Sequence, residues 1–233
     1  MFFSKLAYIE TTMKYILLFL LGVINLNAYA QIPEGFVHVN AVIPDIRMDI
    51  RYCSDNNFVG EPIDGYFKAT LILSEPATNA LKNVQDELRE QGLSLKVFDA
   101  YRPQTAVDHF VRWARELNDT IRKQQFYPDV EKQNLFKEGY IASRSRHSSG
   151  STVDLTIVKI DTNHELDMGT PFDFFGPASG LEYSNLTEDQ KSNRMLLHHI
   201  MIKHGFRHYP QEWWHFTLRN EPFKDQYFDF PVE

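Results

Sequence analysis

The sequence predicts a single α+β domain in which a small mixed or antiparallel sheet is flanked by helices. Two helical stripes of apolar residues and several short alternating segments follow one another without the regular strand-helix-strand repeat of an α/β protein. No repeat or Pro/Gly/Ser-rich linker divides residues 31–233. The chain has 233 residues, of which 43% are apolar, so it can bury an ordinary core without disulfides.

The first 30 residues are predicted to be a signal peptide. Lys14 precedes an apolar run over residues 15–24, and the small-residue triplet Ala28-Tyr29-Ala30 follows it. The signal would start at Met13 or at Met1 and be cleaved after Ala30. A membrane anchor is the alternative, but the run is shorter than the roughly 20 residues that a span needs. We therefore expect an exported protein, periplasmic or extracellular, with no stable membrane insertion after signal removal.

Charge and cysteine content exclude some classes of protein. The formal net charge is -7 at pH 7, whereas nucleic-acid binding requires a basic surface, so nucleic acid is not an expected partner. Cys53 is the only cysteine, which excludes an intrachain disulfide. It is either a small buried apolar residue or a catalytic thiol. The sequence does not indicate an oligomeric state.

A first helix is predicted from about Glu75 to Gln91. Ser74 is a suitable N-cap and Gly92 a suitable end. The apolar stripe of this helix consists of Ala77, Ala80, Leu81, Val84 and Leu88.

A strand over residues 93–98 and a second helix over residues 106–114 follow. Arg102 therefore lies on a strand-to-helix turn, a place where functional residues collect on a rigid scaffold. It could form a structural salt bridge with Asp99, or act as a cation that stabilises negative charge on a carbonyl oxygen.

Residues 118–138 show no clear periodicity. They are either a mobile insertion or a broken helix, and they could cover a cleft. The alternation of Val153, Leu155 and Ile157 then predicts a strand.

Local sequence patterns predict the last helix and the last strand. Thr187 and Gln190 form a capping-box pattern that opens a helix, which Gly205 ends. The aromatic segment 213–218 is predicted to be the final core strand. At least one of Trp213 and Trp214 is expected to pack in the core, and the other could form a wall of the pocket.

The segment from Ser145 to Asp154 is the first candidate site. His147 precedes a turn of small residues, and Asp154 follows inside the predicted strand. The turn could fold the histidine back beside the aspartate, and zinc accepts an imidazole nitrogen and a carboxylate oxygen. This pattern alone is weak evidence for a metal site, because a histidine and an aspartate seven positions apart often occur by chance in a surface loop.

A second segment, Glu212-Trp213-Trp214-His215, supplies a third ligand and a nearby carboxylate. A catalytic zinc ion takes three protein ligands and keeps one position open for water. His147, Asp154 and His215 would be those ligands, with Glu212 as the general base. A flat strand would place Glu212 and His215 on opposite faces, so Glu212 is expected in a turn or bulge before the strand. The histidines at 198, 199, 204 and 208 are not assigned to the metal.

Three segments together, Tyr101 to Pro103, Ser145 to Asp154 and Glu212 to His215, resemble the D-alanyl-D-alanine dipeptidase family. That family belongs to a larger group of zinc peptidases that cut peptidoglycan stems. The resemblance covers most of residues 36–218.

The resemblance implies one zinc ion per chain in a central cleft, held by His147, Asp154 and His215. It implies that Glu212 is the general base and that Arg102 holds the carbonyl oxygen in the tetrahedral state. It further suggests Asp173 as the partner of the substrate ammonium, with Ser145 and Tyr52 near the bound dipeptide.

The expected function is zinc-dependent hydrolysis of the small dipeptide D-Ala-D-Ala, in the turnover or salvage of cell-wall peptides. One alternative is a D,D-carboxypeptidase or endopeptidase that acts on longer peptidoglycan stems. A second alternative is a non-catalytic module that binds zinc or wall peptides. Glu212 favours an enzyme, because a binding module does not need a carboxylate beside an open metal position.

Overall fold

The computed structural model describes residues 32–233, and the predicted signal peptide lies outside these residues. These residues contain seven strands: β1 (Phe36–His38), β2 (Arg47–Met48), β3 (Ile72–Ser74), β4 (Leu93–Asp99), β5 (Thr152–Lys159), β6 (Phe206–His208) and β7 (His215–Leu218). The described part of the chain also has five α-helices: α1 (Val39–Val42), α2 (Glu75–Arg89), α3 (Gln104–Arg115), α4 (Lys123–Phe126) and α5 (Glu188–Lys203). Short 3-10 helices lie at Arg51–Cys53, Lys132–Asn134, Arg146–Ser149 and Pro177–Ser179.

The main sheet has five strands in the order β2-β4-β5-β7-β6. Strand β2 runs parallel to β4, and the other neighbours are antiparallel. A separate antiparallel pair is formed by β1 and β3. The predicted α+β class with a mixed sheet is therefore confirmed. In the central strands, Asp154 lies opposite both Asp99 and His215, which gathers polar side chains at one end of an otherwise buried sheet.

Helix α2 begins where the sequence indicates, but its N-terminus is not capped as expected. Ser74 occupies the N-cap position, yet its side chain makes no capping bond and its Oγ lies 2.8 Å from that of Ser151. The predicted apolar stripe faces the core. The helix ends at Arg89, two residues before the predicted Gln91, and Gly92 follows with a φ of +72°. That left-handed geometry suits glycine.

Helix α5 has the predicted capping box. The Thr187 hydroxyl accepts a hydrogen bond from the Gln190 backbone, and the Gln190 side chain accepts one from the Thr187 backbone. Gly205 follows the helix with a φ of +92°. Both predicted ends of this helix are confirmed.

Residues 118–138 form a broken helix that packs against the domain. Helix α4 and the 3-10 helix at Lys132–Asn134 lie in this segment, and Phe126, Tyr127, Val130 and Leu135 are buried. The Phe126 carbonyl accepts a hydrogen bond from the Phe175 backbone. None of the residues 118–138 lines the central pocket, whose lining residues pass from Phe110 directly to Gly139.

The final strand β7 begins at His215, two residues later than predicted. Trp213 and Trp214 lie in the preceding turn, with 2% and 1% of their surface exposed, so both pack in the core where at least one was expected to. Trp214 also lines the central pocket. Between residues 32 and 233, no helix has the length and apolar character to cross a membrane.

Candidate metal and substrate site

A cavity of about 240 Å³ opens at the polar end of the main sheet. The chain reaches it from the turn after β4, the 3-10 helix at Arg146–Ser149, the start of β5 and the turn before β7. The site residues that line it are Tyr52, Arg102, Ser145, His147, Asp154, Asp173, Glu212 and His215. All eight residues selected from the sequence thus lie around one cavity.

His147, Asp154 and His215 converge on one point. Each offers a ligand atom, and these atoms lie within 4.8 Å of one another. His147 Nε2 is 3.2 Å from Asp154 Oδ2, and His215 Nδ1 is 3.0 Å from Asp154 Oδ1. The two imidazole nitrogens are 3.4 Å apart. Two imidazoles and one carboxylate match the protein ligands of a catalytic zinc ion.

The surroundings of these side chains also fit a metal ion. The Nδ1 of His147 is 2.7 Å from the Ala100 carbonyl oxygen and donates to it, which leaves Nε2 free to bind a metal. Asp154 Oδ1 is buried without a hydrogen bond of suitable geometry. A buried carboxylate oxygen without a well-aligned hydrogen bond is costly, and a cation between the three side chains would satisfy it.

Charge interactions among these side chains shift the pKa values of Asp154 and His215. Burial opposes ionisation of Asp154, but the two histidines outweigh it and hold the pKa of the carboxyl well below its usual range. Burial also opposes a charge on His215, yet the nearby Asp154 raises the pKa of that imidazole. Asp154 is therefore ionised near neutral pH, as a carboxylate ligand of a metal ion must be.

Glu212 lies beside the three candidate ligands in a turn, as the geometry of the strand requires. Its carbonyl accepts a hydrogen bond from the His215 backbone, and its Oε2 is 3.5 Å from His215 Nδ1. Burial raises the pKa of Glu212 to about 7, and Asp154 contributes in the same direction. A carboxyl with such a pKa can both accept and release a proton near neutral pH.

Arg102 forms the salt bridge with Asp99 that the sequence suggested, and it also lines the cavity. Its Nε and Nη2 lie 2.9 and 2.8 Å from Asp99 Oδ2, and Nη2 is 3.6 Å from Asp154 Oδ2. The guanidinium also lies over the rings of Tyr52 and Phe110, at 5.0 and 5.2 Å from their centroids. These contacts fix a cation at the edge of the cavity, beside the candidate metal ligands.

Asp173 and Tyr52 form a hydrogen-bonded pair of polar side chains that lines the cavity. The Tyr52 hydroxyl donates a hydrogen bond of 2.9 Å to Asp173 Oδ2. Burial raises the pKa of Asp173 well above its usual range, and the nearby Asp154 adds to this effect. The Asp173 backbone has a φ of +61°, a conformation that is uncommon outside glycine and is concentrated at functional sites.

Ser145 is the N-cap of the 3-10 helix that carries His147. Its Oγ accepts a hydrogen bond of 3.2 Å from the His147 backbone. The side chain therefore helps to orient the start of this helix while it lines the cavity.

Asp99 contacts more groups of the site than the sequence indicates. This residue is fully buried, accepts a 2.6 Å hydrogen bond from Tyr66 and lies 3.4 Å from His147 Nδ1, in addition to its contact with Arg102. In the sequence, only its position at the end of a buried strand indicates that Asp99 has such a role. Burial raises the pKa of Asp99.

The structure gives other roles to the remaining candidates. Burial raises the pKa of the Cys53 thiol to about 11, so it is not activated as a nucleophile, and it does not line the cavity. His204 Nε2 lies 2.8 Å from Glu87, and the rings of His198 and His208 contact each other with centroids 5.2 Å apart.

Comparison with known proteins gives consistent matches. The profile of the peptidase M15 family described as D-ala-D-ala dipeptidase matches residues 33–233. The D-alanyl-D-alanine dipeptidase of Enterococcus faecalis (strain ATCC 700802 / V583) is 38% identical over 199 residues, which cover 85% of this chain and 98% of that protein. The D-alanyl-D-alanine dipeptidase of Streptomyces coelicolor is 38% identical over 197 residues, covering 84% and 98%.

Solved structures overlap less closely. The vancomycin-resistance D,D-pentapeptidase VanY, in complex with Zn(II), superposes with a TM-score of 0.40 at 15% identity. The overlap covers 67% of this chain and 77% of that one.

Proposed function

Because this chain belongs to the D-Ala-D-Ala dipeptidase family of metallopeptidases, we propose that it hydrolyses the free dipeptide D-Ala-D-Ala. His147, Asp154 and His215 would hold one zinc ion per chain. The observation that carries the proposal is the convergence of these three side chains beside the buried carboxyl of Glu212, inside a cavity of about 240 Å³. Metal-assisted hydrolysis uses a metal position with a proton acceptor beside it, and this cavity has suitable residues for both.

Zinc would lower the pKa of a bound water and polarise the substrate carbonyl. Glu212 takes a proton from the attacking water and passes it to the leaving amine of the second D-alanine. Its raised pKa suits both transfers, because the carboxyl is neither strongly acidic nor permanently protonated near neutral pH.

Arg102 stabilises the negative charge that develops on the carbonyl oxygen. Its guanidinium is already fixed by Asp99, so it does not have to be reorganised as the charge forms. A permanently charged donor at the cavity edge is suited to this task.

The preference for a short peptide with a free amine comes from Asp173. A buried carboxyl with a raised pKa becomes stable as an anion when a cation pairs with it, and the substrate ammonium is that cation. Tyr52 holds Asp173 in place through its hydroxyl, and Ser145 lies near the bound dipeptide. A longer stem peptide has no ammonium at this position.

Export to the periplasm or the outside of the cell is part of the proposal, on the basis of the signal-like segment before residue 31. An enzyme outside the cytoplasm meets dipeptides released from the wall. Turnover or salvage of cell-wall dipeptide is therefore the proposed physiological role.

The decisive experiment measures D-alanine release from D-Ala-D-Ala by the purified zinc-loaded protein. The Glu212→Gln variant, at matched zinc content, is the control, since it retains shape and hydrogen bonding but cannot take the proton. Release by the parent and not by the variant supports the proposal. If both lack activity with zinc bound, a second assay with longer D,D-stem peptides separates the carboxypeptidase alternative from the binding-module alternative.

A further inference from the structure

The three candidate ligands are positioned in two different ways. Asp154 and His215 are opposed residues on the antiparallel strands β5 and β7, so the backbone register of the sheet places both of them. His147 is on the 3-10 helix at Arg146–Ser149, outside the sheet. A separate set of contacts must therefore hold the helix of His147 at the correct distance from the sheet.

Glu221 provides such a contact. It follows β7, and only 1% of its side chain is exposed. Its Oε2 accepts a 2.6 Å hydrogen bond from Ser149 at the end of the His147 helix, and its Oε1 accepts one of 3.0 Å from Arg207 on β6. Arg146, at the start of the same helix, has Nη1 3.6 Å from Oε1. One carboxylate thus contacts both ends of the helix and the β6–β7 hairpin that carries His215.

We propose that Glu221 is a positioning residue that fixes His147 relative to Asp154 and His215, and so sets the affinity of the zinc site. This inference rests on the proposed zinc site but not on the identity of the substrate. Glu221 does not line the cavity and does not itself bind the metal or the dipeptide.

The burial of the Glu221 carboxylate supports a specific role for it. A buried charge is retained only where it is paired and hydrogen-bonded, and removal of one partner leaves the others unsatisfied. Without Glu221, Arg207 and Arg146 lose their shared anion, and Ser149 loses its contact with the hairpin. The His147 helix would then be held by its remaining contacts, such as the hydrogen bond from the Phe228 backbone to the Ser148 carbonyl. Residues that orient metal ligands typically change metal affinity by about 10- to 100-fold when mutated.

The test is a zinc titration of the full protein against a competing chromophoric chelator, without substrate. Glu221→Ala is expected to raise the zinc Kd about 10-fold or more, and Glu221→Gln, which keeps some hydrogen bonds, is expected to lie between Glu221→Ala and the parent. The matched control is Gln85→Ala. Gln85 is also fully buried and bonded, to Ser94 and Leu95, but it lies between α2 and β4 away from the cavity.

A double-mutant cycle separates positioning from a general loss of stability. If Glu221 acts through the His147 helix, the effects of Glu221→Ala and Ser149→Ala on zinc Kd are not additive, because both remove the same connection. A parental zinc Kd in Glu221→Ala, or fully additive effects, would overturn the proposal. If Glu221→Ala does not fold, the Kd of Glu221→Gln decides, and a parental value overturns it.

The result is independent of the proposed activity. A parent that binds zinc but does not release D-alanine would contradict the dipeptidase function and leave the Glu221 measurement valid. A parent that binds no zinc would contradict both.

Discussion

Tyr52 and Asp173 are 121 positions apart in the sequence, yet the tyrosine hydroxyl donates a 2.9 Å hydrogen bond to the aspartate carboxylate inside the cavity. Both side chains are buried, and Asp173 adopts a left-handed backbone with a φ of +61°. The left-handed backbone of Asp173 costs folding free energy. Burial also makes ionisation of its carboxyl unfavourable, as the raised pKa shows, and a substrate ammonium beside the carboxylate would offset this cost.

Asp173→Asn tests this assignment. Asparagine tolerates positive φ and can still accept the Tyr52 hydrogen bond, so the fold should be retained. We expect kcat/KM for free D-Ala-D-Ala to fall about 30-fold or more, because a buried charge partner is lost. N-acetylated D-Ala-D-Ala, which has no ammonium, should be cleaved poorly by parent and variant alike. An unchanged kcat/KM for the free dipeptide would remove Asp173 from substrate recognition.

Arg102→Lys tests the role of the guanidinium. Lysine retains the positive charge but cannot contact Asp99 through two nitrogens while it reaches towards Asp154. We expect kcat to fall by about 10²–10³-fold with zinc content unchanged. Arg112→Lys, at an exposed arginine that pairs with Asp64, is the matched control and should keep parental activity. Near-parental turnover of Arg102→Lys would show that charge alone is sufficient.

Asp229→Ala tests how the C-terminal segment supports helix α3. Pro103 is the N-cap residue of this helix and its side chain cannot cap, whereas Asp229 accepts hydrogen bonds from the Thr105 backbone at 2.7 Å and from the Thr105 hydroxyl at 2.8 Å. We expect the variant to lose about 1 kcal/mol of unfolding free energy in urea titrations. Asp225→Ala, an exposed carboxylate in the same segment, should be close to neutral. Equal effects of the two substitutions would argue against capping.

The long elements could be predicted from the sequence because each has a local signal. The apolar stripe of α2, the capping box of α5 and the alternation within β5 each extend over enough residues to define a period. Strands β1, β2, β3 and β6 contain only two or three residues, so they have no period to detect. Their positions depend on pairing with distant strands.

The candidate ligands could be selected because histidine and carboxylate residues occur in two short segments. The turn geometry of Glu212 also followed from the alternation of side chains along a strand. The contacts behind the ligands could not be predicted, since they join distant positions. Ser149 and Glu221 are 72 residues apart, and the Ala100 carbonyl that orients His147 has no side-chain signature.

We expect His208 to make the folded protein less stable in acid. Burial, with help from His198, lowers the pKa of His208 to about 4 from an ordinary value of 6.5, so the unfolded chain binds the proton more tightly. The contribution of neutral His208 to the free energy of unfolding is therefore complete above pH 6.5 and is lost as the pH falls towards 4. In zinc-free urea titrations at pH 7 and pH 5, the parent should lose about 1 kcal/mol more than His208→Gln. His164→Gln, at an exposed histidine, should follow the parent, and equal losses in all three proteins would contradict the assignment.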